Sequence, residues 1–212
     1  MFKRTYLVVA SIFAIVLSPA AHTGVQGSQS LQRFFNEVST YSANFQQVIL
    51  DENFNPIEES SGKMTIKRPG KFRWDYDEPN PQQVVSDGDK VWFYDIELEQ
   101  ITVKRLKKTL GKTPASLLAG GANVNDSYDV TDINNTGEIA WVRLTPKAKD
   151  SDYKDMRLGF ADQRLQILEL LDSLGQTTRI TLSNTQENVA LQDERFAFKP
   201  PKGVDIIDES QN

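Results

Sequence analysis

Cysteine is absent from this 212-residue chain, and histidine occurs once, as His22. Without cysteine there is no disulfide, no thiolate metal site, no cysteine nucleophile and no cysteine for lipid attachment. A single histidine near the N-terminus excludes catalytic triads that use histidine, zinc sites built from histidine and histidine general bases from the rest of the chain. We therefore expect a protein that is not an enzyme, with no catalytic residues, no metal site and no cofactor.

Basic residues are outnumbered as well, with 24 Lys and Arg against 29 Asp and Glu and a formal charge of −5. An acidic chain is poorly suited to nucleic acid or to an electrostatically held membrane surface, so neither partner is expected. The length suits one domain with a sizeable core. Gly111-Lys112-Thr113 and Ser60-Ser61-Gly62-Lys63 each match part of a nucleotide-binding or hydrolase motif, but the rest of both motifs is missing.

The first twenty residues have the pattern of a secretory signal peptide. Lys3 and Arg4 precede an apolar run over residues 7–17, and Ser-Pro-Ala follows at 18–20. The apolar run is too short to span a bilayer comfortably. We expect residues 1–20 to be removed on export, with a cut nearer Gly27 as the alternative, and residues 21–212 to form a single domain.

The stretch from Lys63 to Val103 predicts five consecutive antiparallel strands joined by short turns. Its centre alternates strictly, so that Phe72, Trp74 and Tyr76 share one face of a strand while charged residues occupy the other. More strands are expected on both sides of this stretch, about ten in all. The fold class is mainly β (α+β), a strongly curved antiparallel sheet with short helices on its concave side.

Arg68 has the same parity as Met64 and Ile66 in the strand that precedes this aromatic face. If the strand keeps its pleat, the Arg68 guanidinium lies at the rim of an apolar surface. A cation in that position is costly unless it finds a partner. We therefore expect the Arg68 guanidinium to have a polar or charged partner.

Two helices are expected near the apolar face. Residues 28–40 carry apolar side chains at helical spacing and predict an amphipathic helix, which either covers the sheet as ordinary core or forms a lid over a cavity. A shorter helix is expected after Thr113, with Pro114 at its first position and Gly120 at its end. Later strands are expected over 139–145, 154–160, 165–171 and 177–182, followed by a short helical turn at 193–196. The run 104–108 and the acidic residues Asp126, Asp129 and Asp132 are expected to be solvated surface.

Few helices are available to cover so many aromatic side chains, which hints at a cavity for an apolar ligand, with an ordinary core as the alternative. Several motifs then resemble the periplasmic outer-membrane lipoprotein carrier family, LolA, in the same order along nearly the whole chain after residue 20. These motifs are Lys67-Arg68-Pro69, Phe72-x-Trp74, Pro79, Val85-Ser86-Asp87-Gly88, Trp92-Phe93-Tyr94-Asp95, Gln100, Thr113-Pro114, Leu144-Thr145-Pro146 and Phe198-x-Pro200-Pro201-x-Gly203-Val204.

The resemblance implies a half-open β-barrel whose apolar cavity is closed by a lid of short α-helices. It implies a monomeric periplasmic carrier of triacylated lipoproteins, with an inner-membrane ABC-type release complex and an outer-membrane lipoprotein receptor as partners. In the family, the arginine that matches Arg68 bonds to backbone groups of the lid and favours the closed state of the lid, so the resemblance implies the same role for Arg68. The residue matching Phe72 is implicated in delivery, so Phe72→Glu is expected to load cargo and fail to unload it.

The remaining site candidates are assigned to the cavity because they share the apolar face or the lid, and ordinary core is the alternative for each. A different function also stays open, a periplasmic lipid-sensing or lipoprotein-sensing regulatory domain of the same fold. The cavity candidates, besides Phe72, are Phe34, Met64, Ile66, Trp74, Tyr76, Val84, Leu117 and Leu118.

Overall fold

The computed structural model describes residues 26–77, 79–109, 113–120, 124–133, 137–149 and 151–211. Within these residues the chain forms one twelve-stranded sheet with four short α-helices and a 3-10 helix. The helices are α1 (Gly27–Glu37), α2 (Leu106–Thr109), α3 (Pro114–Ala119), α4 (Val124–Ser127) and the 3-10 helix (Asp193–Phe196). The strands are β1 (Thr40–Leu50), β2 (Pro56–Lys67), β3 (Lys71–Tyr76), β4 (Gln82–Asp87), β5 (Lys90–Asp95), β6 (Gln100–Arg105), β7 (Tyr128–Asp132), β8 (Ala140–Pro146), β9 (Tyr153–Ala161), β10 (Arg164–Asp172), β11 (Thr177–Glu187) and β12 (Asp205–Asp208).

The sheet has the order β12-β6-β5-β4-β3-β2-β1-β11-β10-β9-β8-β7. Strand β1 joins the two halves because it pairs with both β2 and β11. All pairings are antiparallel except that of β12, which lies parallel to β6. Since β12 and β7 end the order without pairing to each other, the curved sheet is a half-open barrel, as expected.

Irregular pairing accompanies the curvature. The register of β1 against β11 shifts between Ser42 and Asn44, and that of β10 against β9 shifts between Leu165 and Ile167. Such bulges bend a strand and increase its local twist. The bends give the sheet an inner face, defined here as the face that packs against α1 and α3, and an outer face opposite to it.

Helix α1 packs on the inner face of β7, β8, β9 and β10. Its Phe34 and Phe35 are buried, as the helical spacing predicts. The predicted extension of this helix to Thr40 is wrong, because α1 ends at Glu37, Val38 has extended backbone and Thr40 begins β1. The β-branched side chains at these last two positions favour the extended conformation.

A smaller apolar group lies on the outer face of β4 and β6. Val85, Ile101 and Val103 are almost fully buried there, and Phe196 of the 3-10 helix is buried as well. The 3-10 helix packs on β3 and β4. Both faces of this end of the sheet are therefore covered, by the main core inside and by the C-terminal segment outside.

The C-terminal strap, defined as residues 193–208, holds to the outer face at two places. Phe198 stacks on Trp92 with ring centroids 5.9 Å apart. The Asp193 carboxylate pairs with Lys67 at 2.7 Å and with Lys71 at 3.1 Å. The strap then continues into β12, which adds a strand that the sequence patterns did not predict.

Two predicted surface segments contain structure. The acidic stretch holds α4 and β7, and Asp132 accepts hydrogen bonds from the backbone and side chain of Ser28 at 2.7 and 2.6 Å. The basic run ends β6 and begins α2, with Leu106 buried and Arg105 paired to Asp89 at 2.6 Å. In the described part of the chain, no helix combines the length and apolar character needed to cross a membrane.

Candidate functional site

Arg68 connects the end of β2 to both helices of the inner face. Its Nη1 donates to the backbone carbonyl of Phe34 at 3.1 Å and to that of Val38, at the C-terminal end of α1. Its Nη2 donates to the carbonyl of Leu118 in α3 at 2.9 Å. One guanidinium therefore bonds to the backbone of α1 and α3 together.

The Arg68 cation is held by carbonyl dipoles and aromatic rings. Its guanidinium carbon lies 4.4 Å from the ring centroid of Phe34 and 4.9 Å from that of Phe35, in cation–π geometry. Burial lowers the pKa of Arg68 to about 10, with the negative charge of Glu187 acting in the opposite direction. The side chain stays charged at neutral pH, and its buried Nε has no hydrogen-bond partner among the described residues.

Helix α3 is held at both ends by local contacts. Thr113 and Ser116 form a reciprocal capping box around Pro114, which confirms the predicted start of the helix. At the other end, the backbone N–H of Gly70 donates to the carbonyl of Ala119 at 3.0 Å. The last carbonyls of a helix lack intrahelical partners. The β2–β3 turn supplies these partners to α3 through Arg68 and Gly70.

The predicted cavity residues lie on the inner face of the sheet or on the covering helices, and they belong to one buried cluster or pack against it. Most of them expose 6% or less of their surface to solvent, while two are half-buried. The buried ones are Phe34, Met64, Ile66, Phe72, Trp74, Leu117 and Leu118, and the half-buried ones are Tyr76 and Val84. In this closed arrangement the side chains pack against one another.

The aromatic cluster also includes residues of β1 that the sequence patterns did not single out. The ring of Phe45 lies 5.0 Å from Trp74 and 5.0 Å from Tyr76, and Tyr41 lies 5.4 Å from Phe34. These edge-to-face and tilted contacts are favourable for aromatic pairs. The alternation of Tyr41 and Phe45 with polar residues along β1 was the signal that could have identified them.

The interior becomes polar at the end far from Arg68. The Tyr76 hydroxyl donates to Oε1 of Gln47 at 3.4 Å, and Nε2 of Gln47 donates to Ser60 at 3.3 Å. Burial raises the pKa of Tyr76, and burial raises the pKa of Tyr153 to about 12, so both hydroxyls are neutral at physiological pH. A cleft of about 310 Å³ opens here. The inner face therefore runs from a cation under the helices to a polar, hydrogen-bonded rim.

This geometry provides an apolar interior under a cover of two short helices, α1 and α3. The two are joined to each other and to the barrel rim through one side chain. Among the described residues, no cluster of three or more His, Asp or Glu side chains is placed to hold a metal ion. The arrangement is suited to enclosing an apolar ligand.

Comparisons with known proteins agree with this arrangement. The family model described as outer membrane lipoprotein carrier protein LolA matches residues 36–199. The outer-membrane lipoprotein carrier protein of Methylobacillus flagellatus is 40% identical over 204 residues, covering 96% of this chain and 99% of its own. The protein of the same name from Nitrosomonas europaea is 41% identical over 204 residues, covering 96% of this chain and 98% of its own.

Solved structures share the fold at much lower sequence identity. The crystal structure of an uncharacterized conserved protein from Thermus thermophilus matches with a TM-score of 0.55 and 14% identity, covering 87% of this chain and 100% of that one. This likeness shows the architecture alone. The sequence matches carry the assignment, because they span almost the whole chain at about two identical residues in five. The chain therefore belongs to the LolA family of outer membrane lipoprotein carrier proteins.

Proposed function

We propose that this protein carries acylated lipoproteins through the periplasm, with their acyl chains held against the inner face of the sheet. The observation that carries this function is the bonding of Arg68 to the backbone of both α1 and α3. Hydrogen bonds of this kind can hold the two helices over the apolar interior and can break to let the helices move away. The carrier names of relatives about 40% identical support the same function.

Acyl chains need a container to cross water. Burial of each CH₂ of a lipid chain is worth about 0.8 kcal/mol, so a chain of about sixteen carbons gains on the order of 10 kcal/mol. Without a carrier, that free energy opposes departure from the membrane and makes transfer slow. A sheet with a wide apolar face under movable helices meets this requirement.

The acyl chains would replace side-chain contacts that close the empty protein. Moving α1 and α3 away from the sheet would uncover Phe34, Leu117 and Leu118 on the helices and the aromatic face below them. We assign Arg68 as the gate of this movement and Phe72 as a residue needed for delivery. Met64, Ile66, Trp74, Tyr76 and Val84 are assigned to the acyl-contacting wall.

The route assigned to the carrier has an inner-membrane donor and an outer-membrane acceptor. Cargo is taken from an ABC-type release complex and handed to a lipoprotein receptor, with the carrier acting as a monomer. Residues 1–20 act as the export signal and residues 21–212 as the carrier domain. Residues 1–20 lie outside the described part of the chain.

Native mass spectrometry of residues 21–212 purified from periplasm tests this function. We expect a population with one acylated lipoprotein per protein, and an altered occupancy in Arg68→Leu. Arg195→Leu is the matched control, because Arg195 is exposed on the outer 3-10 helix. A protein that stays empty and also takes no cargo from inner-membrane vesicles would show that it is not a carrier.

A further inference from the structure

A second cleft lies beside the helical cover, where α2 meets the C-terminal end of α3. Its volume is about 600 Å³. The cleft is lined by the β2–β3 turn, the β4–β5 turn, residues 105–108 and the last turn of α3. None of the positions assigned to the carrier function lines it, although it adjoins the turn that holds α3.

The rim of this cleft carries three basic residues and one acidic residue. Arg105, Lys107 and Lys108 line it, against a single carboxylate, Asp89. Asp89 already pairs with Arg105 at 2.6 Å. Lys107 is exposed and has no ion-pair partner within the described residues. Lys107 therefore contributes an unpaired positive charge at this place, on a chain with a formal charge of −5.

The deeper wall of the cleft is apolar. Pro69 is exposed on this wall, with Leu106 and Ala119 buried behind it. The β2–β3 turn packs closely on it, since a Cβ placed on Gly70 would lie 2.9 Å from a methyl carbon of Leu106. The cleft thus combines a cationic rim with an apolar wall.

We propose that this cleft binds the head group of an anionic phospholipid at a membrane surface. Lysine ammonium groups suit a phosphate as point charges. The apolar wall fits the first carbons below the head group, which a bare inorganic anion would leave uncovered. The acidic remainder of the chain opposes general adsorption, so the contact is local and orients the molecule.

This orientation would bring the helical cover to the membrane. The Gly70 N–H that borders the cleft donates to Ala119 of α3 at 3.0 Å, and the same turn carries Arg68. If the protein carries acyl chains as proposed above, docking here would place the opening of the cover where the chains leave or enter lipid. Binding of the head group itself does not depend on that function.

The test uses the empty mature protein and phosphatidylcholine vesicles prepared with or without phosphatidylglycerol, separated by flotation at low salt. We expect binding only to the phosphatidylglycerol vesicles, and its loss as salt is raised. Each unit of lysine charge near an anionic surface changes affinity about fivefold, so Lys107→Glu should weaken binding about 25-fold. Lys202→Glu makes the same change at an exposed position outside the cleft and should have little effect.

Several results would overturn the lipid assignment. Equal losses in Lys107→Glu and Lys202→Glu would mean that only net charge matters, and absence of vesicle binding would remove the site. Displacement by inorganic phosphate as effective as by a short-chain phosphatidylglycerol would leave a simple anion site. If Lys107→Glu slowed cargo exchange in detergent without changing vesicle binding, the cleft would serve a protein partner. None of these results would remove acyl carriage, which native mass spectrometry tests separately.

Discussion

Replacing Arg68 by leucine removes a side chain that bonds to both covering helices. Leucine keeps apolar bulk in the space next to Phe34 and Phe35 but cannot donate a hydrogen bond. Three backbone carbonyls, at Phe34, Val38 and Leu118, then lose their guanidinium partner. Arg68→Lys is an informative second variant, because it keeps the charge and has a single nitrogen in place of the guanidinium fork.

The expected size of the effect follows from the contacts. A hydrogen bond from a charged donor contributes about 1.5–3 kcal/mol. Desolvation of the guanidinium offsets about 3 kcal/mol of the total, since its pKa falls from 12.5 to about 10. Three such bonds sum to about 4.5–9 kcal/mol, so a net closing contribution of about 1.5–6 kcal/mol remains. A value of about 3 kcal/mol within this range corresponds to a roughly 100-fold shift of the open–closed equilibrium of the cover in Arg68→Leu.

Amide hydrogen exchange measures this shift at the covering helices. In Arg68→Leu we expect faster exchange in α1 and α3 and unchanged exchange in β1, β2 and β11, because those strands lie in the paired centre of the sheet. Arg68→Lys should give a smaller change, and Arg195→Leu should match the unaltered protein. Unchanged protection of α1 and α3 in Arg68→Leu would refute the closing role of the guanidinium.

Three further predictions concern delivery, packing and the strap. Because Phe72 is fully buried, Phe72→Glu would bury an unpaired carboxylate and destabilise the fold, so Phe72→Leu is the better test of delivery. The Phe72→Leu variant should load cargo but transfer it more slowly to receptor-bearing vesicles, and an unaltered transfer rate would contradict a delivery role. A Cβ at Gly62 would overlap the backbone oxygen of Asp75, so Gly62→Ala should destabilise the fold by about 1–3 kcal/mol in urea unfolding, and an unchanged midpoint would exclude the clash. Hydrogen bonds from two lysines lower the pKa of Asp193 below its usual value. The contact therefore stabilises the strap at any pH above the usual carboxyl pKa, and this stabilisation is lost as the pH falls through the lowered pKa. Trp92 fluorescence should report the loss, and an identical acid response in Asp193→Asn would contradict it.

Alternation along the strands is what made the inner face predictable. Parity alone places Phe72 and Trp74 on one face, and both are buried there. The same parity put Arg68 at the apolar rim, where it bonds to carbonyls of the covering helices. Local periodicity carries this information because each strand has one face toward the core.

The covering of the outer face could not be read from the same patterns. Val84-Val85 and Trp92-Phe93-Tyr94 are continuous apolar runs, which indicate burial on both faces of a strand without identifying what covers the second face. The structure places the C-terminal strap there, and β12 pairs with β6 across about a hundred residues of sequence. Long-range pairing of a short edge strand with polar ends has no local periodic signal. Strand β7 does alternate, with Tyr128 and Val130 packed against the core, but the regularly spaced aspartates of that stretch indicate surface instead.

The closing contribution of Arg68 also sets how tightly cargo is held. A cover that costs about 3 kcal/mol to open weakens the apparent affinity for cargo by roughly 100-fold, because only the open form accepts acyl chains. That opening cost is small compared with the free energy of burying even one acyl chain, so the carrier still loads cargo. The same cost favours return of the cover to its closed form once a receptor competes for the cargo. Arg68→Leu should therefore retain cargo longer after loading, measured as the half-time of release to acceptor vesicles. Release as fast as from the unaltered protein would mean that closing of the cover does not drive the release of cargo.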